Sequence, residues 1–148
     1  MRVDEGLRRS AVAVGPDATV TKAAAVMDAV GVGALAVVDG DCLVGIVTDR
    51  DLVRRVLARG LPLDARVDSV MSMPVVTIDA DDDLHSAFAA FRRHGLRRLA
   101  AVRDGRFVGM VTVDDLLINV AGDLGDLARP VTAEMLFPQR DATVPALS

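Results

Sequence analysis

Gly45-Ile46-Val47-Thr48-Asp49-Arg50-Asp51-Leu52 returns 64 positions later as Gly109-Met110-Val111-Thr112-Val113-Asp114-Asp115-Leu116. The register holds without a gap from Val12/Val76 to Leu52/Leu116. Of those 41 pairs 14 are identical, against about four expected by chance from so Ala- and Val-rich a composition. The chain is a tandem repeat. Arg2-Val3-Asp4 also precedes Arg66-Val67-Asp68 by 64 residues, so each unit is about 60 residues long. A unit of that size is too short to bury a good core alone, and the two are expected to pack into one body.

Composition bounds the class. The chain has 148 residues, 51% hydrophobic and 26% charged, with no low-complexity block long enough to be a linker. Its net charge of −4 and pI near 5.0 repel polyanions, so nucleic acid is a poor partner. The single Cys42 allows no intramolecular disulfide. Acids at Asp4 and Glu5 stand where a signal peptide needs a basic start, and no apolar stretch approaches a membrane span. The expectation is a cytoplasmic protein without membrane contact.

Local patterning gives the same element order twice: strand, helix, strand, strand, helix. In the first unit Val12 to Val14 reads as a strand. Val20, Ala23, Ala24 and Met27 share a helix face, with Thr19 as cap and Gly31 as stop. Ala34 to Val38 and Leu43 to Val47 are strands around the turn signal Asp39-Gly40, and Leu52, Val53, Val56 and Leu57 begin a second helix that Gly60 stops. In the second unit the strand is Val75 to Ile78, the cap Asp83, the helix face Leu84, Ala87, Phe88 and Phe91, and the stop Gly95. Strands Leu99 to Val102 and Phe107 to Val111 and a helix from Asp114 follow. Phe88 and Phe91 replace Ala24 and Met27, which predicts an asymmetric core. A short helical signal lies around Val67 to Met71. Beyond Val120 the residues Gly122, Gly125, Pro130 and Pro138 break the period, leaving a short helix around Thr132 to Phe137 and a frayed end.

These residues resemble the tandem pair of cystathionine-beta-synthase (CBS) motifs called a Bateman module, over about residues 2 to 120. The carriers are Val70-Met71-Ser72-Met73-Pro74-Val75-Val76-Thr77, the stretch from Gly95-Leu96-Arg97-Arg98-Leu99 to Val102-Arg103-Asp104-Gly105, and both Gly-h-h-Thr-x-x-Asp segments, where h is apolar. The resemblance implies a mixed α/β fold of the α+β type: two motifs, each a three-stranded sheet with two helices on one side, packed through their sheets with pseudo-twofold symmetry. It gives boundaries of 2–60 and 66–121 for the motifs and 122–148 for the tail. It also implies a stand-alone regulatory module with clefts for adenosine-containing ligands (AMP, ADP, ATP or S-adenosylmethionine, no cofactor being required), a partner protein of unknown identity and further association into flat dimers. Two departures stand out. The proline often found in the middle strand is Ala36 in the first unit and Ala100 in the second, and the Val-Met-Ser-x-Pro lead-in has decayed in the first unit to Gly6-Leu7-Arg8-Arg9-Ser10.

The repeated motif suits a nucleotide. Glycine permits close approach, the apolar pair finishes a buried strand, and threonine opens a helix whose free amides attract an anion. Similarity to the family assigns Thr48 and Thr112 to phosphate, Asp51 and Asp115 to the ribose hydroxyls, and an apolar slot near Val76 and Met110 to adenine. Thr-x-x-Asp is also close to a capping box, which needs no ligand. Arg97 and Arg98 occupy strand positions where family members carry basic groups facing phosphate. Strand alternation sends neighbours to opposite faces, and the first unit has Gly33 and Ala34 there, which argues for unequal sites. Arg50, beside the first helix start, reads either as added positive charge or, as a lone arginine near a helix terminus more often is, as a solvated residue.

Other polar residues read as structural. Asp79, Asp81, Asp82 and Asp83 lack the glycine and distal glutamate of a calcium loop and suit a helix N-terminus. His85, His94 and Cys42 have no metal-ligand spacing around them. The Arg54-Arg55 and Arg92-Arg93 pairs read as exposed helix faces. No nucleophile is paired with a base, so an enzyme is not expected. Leu52, Val53, Val56 and Leu57 are too many for a single sheet to cover, which predicts a homodimer, unless the tail with Met135, Leu136 and Phe137 covers them instead. The alternative function is a ligand-free structural module for dimerisation or for holding an enzyme.

Overall fold

A computed structural model of the chain describes residues 2–7 and 12–136. Residues up to Val113 form one compact unit and those from Asp114 onward a second. The first unit holds β1 (Ala13–Val14), α1 (Val20–Val30), β2 (Ala34–Asp39), β3 (Cys42–Thr48) and a short helix α2 (Asp49–Asp51) that continues as a wider π-type turn over Leu52–Leu57. The order then repeats in β4 (Thr77–Asp79), α3 (Leu84–His94), β5 (Arg98–Arg103) and β6 (Arg106–Thr112), and helix α4 (Val113–Leu136) follows.

Local chemistry sets these elements as the sequence predicts. The Thr19 hydroxyl accepts the Lys22 amide at 3.0 Å and Gly31 ends α1 with φ +77°. In α3 the Asp83 carboxylate accepts the His85 amide at 2.8 Å and Gly95 ends the helix with φ +62°. Each helix buries one face, Val20, Ala23 and Met27 in α1 and Leu84, Ala87 and Phe91 in α3. Each also serves as the crossover between parallel strands, β1 to β2 and β4 to β5.

The sheet preserves the 64-residue register pair by pair. β2 and β3 run antiparallel from Ala34↔Thr48 to Asp39↔Cys42 with an irregularity at Val37/Val38. β5 and β6 run from Arg98↔Thr112 to Arg103↔Arg106 with the same irregularity at Ala101/Val102. The strand order is β1-β2-β3-β6-β5-β4, and the halves join where Cys42 pairs with Arg106. This is the mixed α/β architecture with pseudo-twofold symmetry that the sequence predicts.

Each unit's lead-in segment lies on the other motif. The Val3 amide donates to the Asp82 carbonyl at 2.8 Å and Asp4 to Ala80 at 2.9 Å; 64 residues on, Val67 donates to Ala18 at 2.8 Å and Asp68 to Pro16 at 3.1 Å. Val3 and Val67 are both fully buried, and Val67 and Val70 join Val20, Leu35, Val47 and Val56 in the core of the first motif. The lead-in then crosses the central strand at the motif glycine. A Cβ on Gly45 would lie 2.5 Å from Met71 Sδ and 3.2 Å from the Ser72 carbonyl oxygen, which accepts the Ile46 amide at 3.1 Å. Among the described residues, the nearest atoms to a Cβ on Gly109 would be those of Leu7, from 3.0 Å. The close approach that glycine permits is thus an approach by the protein's own lead-in segment.

The first motif's lead-in, where it lies on the second motif, carries an ionic clamp that the second motif's lead-in lacks. Arg103 Nη2 reaches Asp4 Oδ2 at 2.6 Å and Asp81 Oδ1 at 3.0 Å, and Arg2 adds contacts to Asp4 at 2.9 Å and Asp81 at 3.6 Å. The counterpart of Arg103 is Asp39, so the other lead-in retains only the Arg66–Asp68 pair at 2.9 Å.

Several expectations need correction. The strand expected over Val75 to Ile78 is β4 at Thr77–Asp79, although the Val76 carbonyl still accepts the Ala100 amide at 3.3 Å. The helix after Thr48 widens because the Ala58 and Leu61 amides reach back five residues, to Val53 and Val56. Arg55 is not a merely exposed partner of Arg54: its Nη1 donates to the Val70 and Met71 carbonyls at 2.9 and 3.2 Å. Nor is Asp81 merely solvated, since Arg103 holds it. The second unit is essentially α4, which continues through Gly122, Gly125 and Pro130, where the sequence predicts a break. Leu117, Val120, Leu124 and Leu127 keep the helical period across both glycines, each of which costs a helix only about 1 kcal/mol. The region expected as a separate short helix is the end of α4 as far as Leu136. Phe137, the last ten residues and Arg8 to Ser10 lie outside the described residues.

Two predictions follow from these contacts. Gly45→Ala forces Met71 and the Ser72 carbonyl aside and should cost about 1–3 kcal/mol by urea denaturation, whereas Gly109→Ala, whose nearest described neighbour is the end of a flexible leucine, should cost less. The hydrogen bond from Arg103, opposed by a smaller desolvation effect, lowers the pKa of Asp81. A carboxylate depressed in the folded state stabilises above its unfolded value of about 3.9 and loses that contribution as pH falls through its folded value. The stability gap between wild type and Arg103→Gln should therefore be full at about pH 6, shrink below about pH 4, and narrow with added salt.

Candidate functional site

The two Thr-x-x-Asp segments close the two central strands, β3 and β6. In the first, the capping alternative is realised. Thr48 Oγ1 accepts the Asp51 amide at 3.0 Å and Asp51 Oδ2 accepts the Thr48 amide at 3.0 Å. The other carboxylate oxygen, Oδ1, lies 3.9 Å from Arg55 Nε, with the Asp51 side chain 14% exposed. Asp51 thus commits one oxygen to the helix start and keeps one toward a guanidinium. In the second segment Thr112 pairs across the sheet with Arg98, and Asp115 lies in the first turn of α4. The turns are anchored alike, by the Asp49 amide on the Gly33 carbonyl at 2.9 Å and the Val113 amide on the Arg97 carbonyl at 3.0 Å.

Arg97 and Arg98 are both exposed but do not act as a pair. Arg98 opens β5 opposite Thr112, yet its Nη2 lies 3.4 Å from where a Cβ on Gly33 would stand, beside Asp49 Oδ2 at 3.0 Å. By sequence Arg98 belongs to the second motif; in space its charge sits at the helix start of the first. Gly33 makes room for it, a dependence that no local pattern reveals. Val76 and Met110 come together around Ala100, one accepting its amide and the other facing it across β5 and β6. Ala100 therefore uses an N–H that the family's usual proline does not have. Ala36 and Ala100 are both fully buried.

Two hollows have the volume of small-molecule sites. One of about 540 Å³ runs from α1 to the start of the first Thr-x-x-Asp helix and is lined by Met27, Asp28, Gly33, Asp49, Leu52 and Val53 among others. The other, of about 750 Å³, is mostly apolar and lies at the hairpin ends of the strands, between Cys42 to Val44 and Met73 to Val75, away from both threonines. Among the described residues no group of three or more His, Cys, Asp or Glu is arranged to hold a metal ion, and no helix is long and apolar enough to cross a membrane.

Comparison with known proteins supplies the kinship. The CBS domain family matches residues 5–58 and 67–122. The chain is 36% identical over 106 residues to the CBS domain-containing protein YhcV of Bacillus subtilis, covering 72% of this chain and 76% of the relative. It is 35% identical over 118 residues to an uncharacterised protein of Methanopyrus kandleri, a match covering 78% of this chain but 60% of that longer relative. Among solved structures it superposes with TM-score 0.72 and 27% identity on a CBS domain protein of Pyrobaculum aerophilum complexed with AMP, covering 82% of this chain and 99% of the other. The 64-residue register, the duplicated turns and these matches converge: the chain belongs to the CBS domain family and carries two CBS motifs in tandem.

Proposed function

We propose that the chain is a regulatory module that binds an adenine nucleotide or related adenosyl compound at its Thr-x-x-Asp turns and passes occupancy to a partner protein through the packing of a homodimer. The observation that carries this reading is the recurrence, in one strand register, of a threonine ending a central strand and an aspartate three residues on. Similarity to an AMP-complexed CBS protein supports the adenosine class. In this proposal Thr48 and Thr112 with the helix amides receive phosphate, Asp51 and Asp115 the ribose, and the space beside Ala100, between Val76 and Met110, the adenine. Arg98 adds its charge at the first turn and Arg97 at the second, so the basic pair is divided between sites instead of serving the second alone. The homodimer buries Val53 and Leu57, which are 55% and 67% exposed. A ligand that prefers one packing over the other shifts the population by that difference in affinity.

A second reading, a ligand-free structural module, is favoured by one observation: the capping box already engages Thr48 and Asp51 without any ligand. Thermal-shift measurements with AMP, ADP, ATP, S-adenosylmethionine and NAD separate the two. At a hundredfold excess over Kd, binding contributes about 2.7 kcal/mol and should raise Tm by about 5–10 °C; no shift with any of the five supports the structural module. Asp51→Asn keeps an acceptor for the Thr48 amide but loses the charged oxygen, so it should leave stability nearly unchanged while weakening nucleotide binding by about 1.5–3 kcal/mol in calorimetric titration. A stability loss with unchanged affinity would restrict Asp51 to capping.

A further inference from the structure

The helix faces of the two motifs differ in size and in sign at equivalent positions. On α1 the outward stripe is Thr21, Ala24, Ala25 and Asp28, all exposed, at the spacing that shares one helix face. Sixty-four residues later the α3 stripe reads His85, Phe88, Ala89 and Arg92. Small and acidic residues in the first motif thus answer to bulky and basic ones in the second. The hollow on the first is real: Ala24 and Leu52 line both a groove of about 260 Å³, with Val20, Val56, Leu57 and Leu63, and the 540 Å³ cleft that contains Asp28. On the second, His85 sets its ring edge-on to Phe88, with centroids 6.2 Å apart at 66°. Among the described residues neither Asp28 nor Arg92 has an ion-pair partner. Asp49 lies beside Gly33 with Arg98 near it, which leaves Asp28 as the acid on the α1 stripe.

We infer that two copies of this chain pair head to tail, with α1 of one protomer against the partner's α3 and the reverse contact made at the same time. The inference rests on the homodimer proposed above and specifies its orientation. The partner's Phe88 then fills the hollow at Ala24, and the partner's Arg92 meets Asp28. A two-fold axis makes each contact twice. Pairing like with like instead sets Asp28 against its own copy and groove against groove on one side. On the other side it opposes Phe88 to Phe88 and Arg92 to Arg92, so repulsion and poor fit both select against it.

Sedimentation equilibrium on the full chain, with circular dichroism melts to verify folding, tests this orientation. The wild type should be a dimer. Asp28→Arg and Arg92→Asp should each raise the dimer dissociation constant about tenfold or more, because each converts two attractions into two repulsions. The double variant restores opposite charges across the same contact and should return to within about threefold of wild type. Ala24→Phe, which fills the hollow without touching charge, should also weaken the dimer about tenfold or more. A monomeric wild type overturns the homodimer itself. A dimer indifferent to both reversals, or weakened by both and not recovered in the double variant, overturns the head-to-tail orientation and leaves the homodimer standing.

Discussion

The reciprocal crossing of the lead-in segments is the constraint on which the rest of the structure depends. Val3 and Val67 each fill a core that belongs to the other motif, so neither motif is a closed unit without its neighbour's leading residues. A 60-residue unit buries too little surface to be secure alone. Exchange of buried valines and of four backbone hydrogen bonds joins the two more firmly than the single Cys42–Arg106 pair at the sheet junction. The same crossing explains the motif glycines, because the lead-in must pass over the central strand at Gly45 and Gly109.

In the reading proposed above, the Thr-x-x-Asp turns would serve structure and ligand with the same atoms. Thr48 and Asp51 close a reciprocal cap, an arrangement that stabilises a helix start by about 1 kcal/mol for the capping side chain. In that reading a nucleotide at the first turn would compete for Asp51 Oδ1 with Arg55, which is itself tied to the carbonyls of Val70 and Met71. Arg55 therefore links Asp51 of the first turn to the lead-in of the second motif. Under the proposed function, occupancy at Asp51 would have a direct route to the crossing that holds the halves together, through Arg55 and two carbonyl oxygens.

On a framework this symmetric, the differences between equivalent positions carry the specialisation. Arg103 against Asp39 gives one lead-in an ionic clamp and leaves the other to apolar burial. Arg98 against Ala34 sends a charge from one motif to the other's helix start, and Gly33 against Arg97 makes room for it. Ala24 against Phe88 and Asp28 against Arg92 give two helix faces opposite shape and charge. Each substitution leaves the backbone register intact, which is why the pairs of β2 with β3 and β5 with β6 still match position for position.

The sequence by itself determined the repeat, the register, the caps at Thr19 and Asp83 and the strand and helix order. Those features are written in periodicity and in side chains that act on their own neighbourhood within a few residues. It also marked Thr48 and Asp51 as a candidate pair, for the same local reason. Tertiary structure alone decided that the lead-ins cross, because backbone amides meeting backbone carbonyls between 49 and 79 residues away leave no side-chain signature. It decided that Arg55 is a strut and that Arg98 serves the first helix start, since a long side chain's destination depends on which distant backbone comes within its reach. Only the structure shows α4 continuous through Gly122, Gly125 and Pro130, where local propensity argues for a stop.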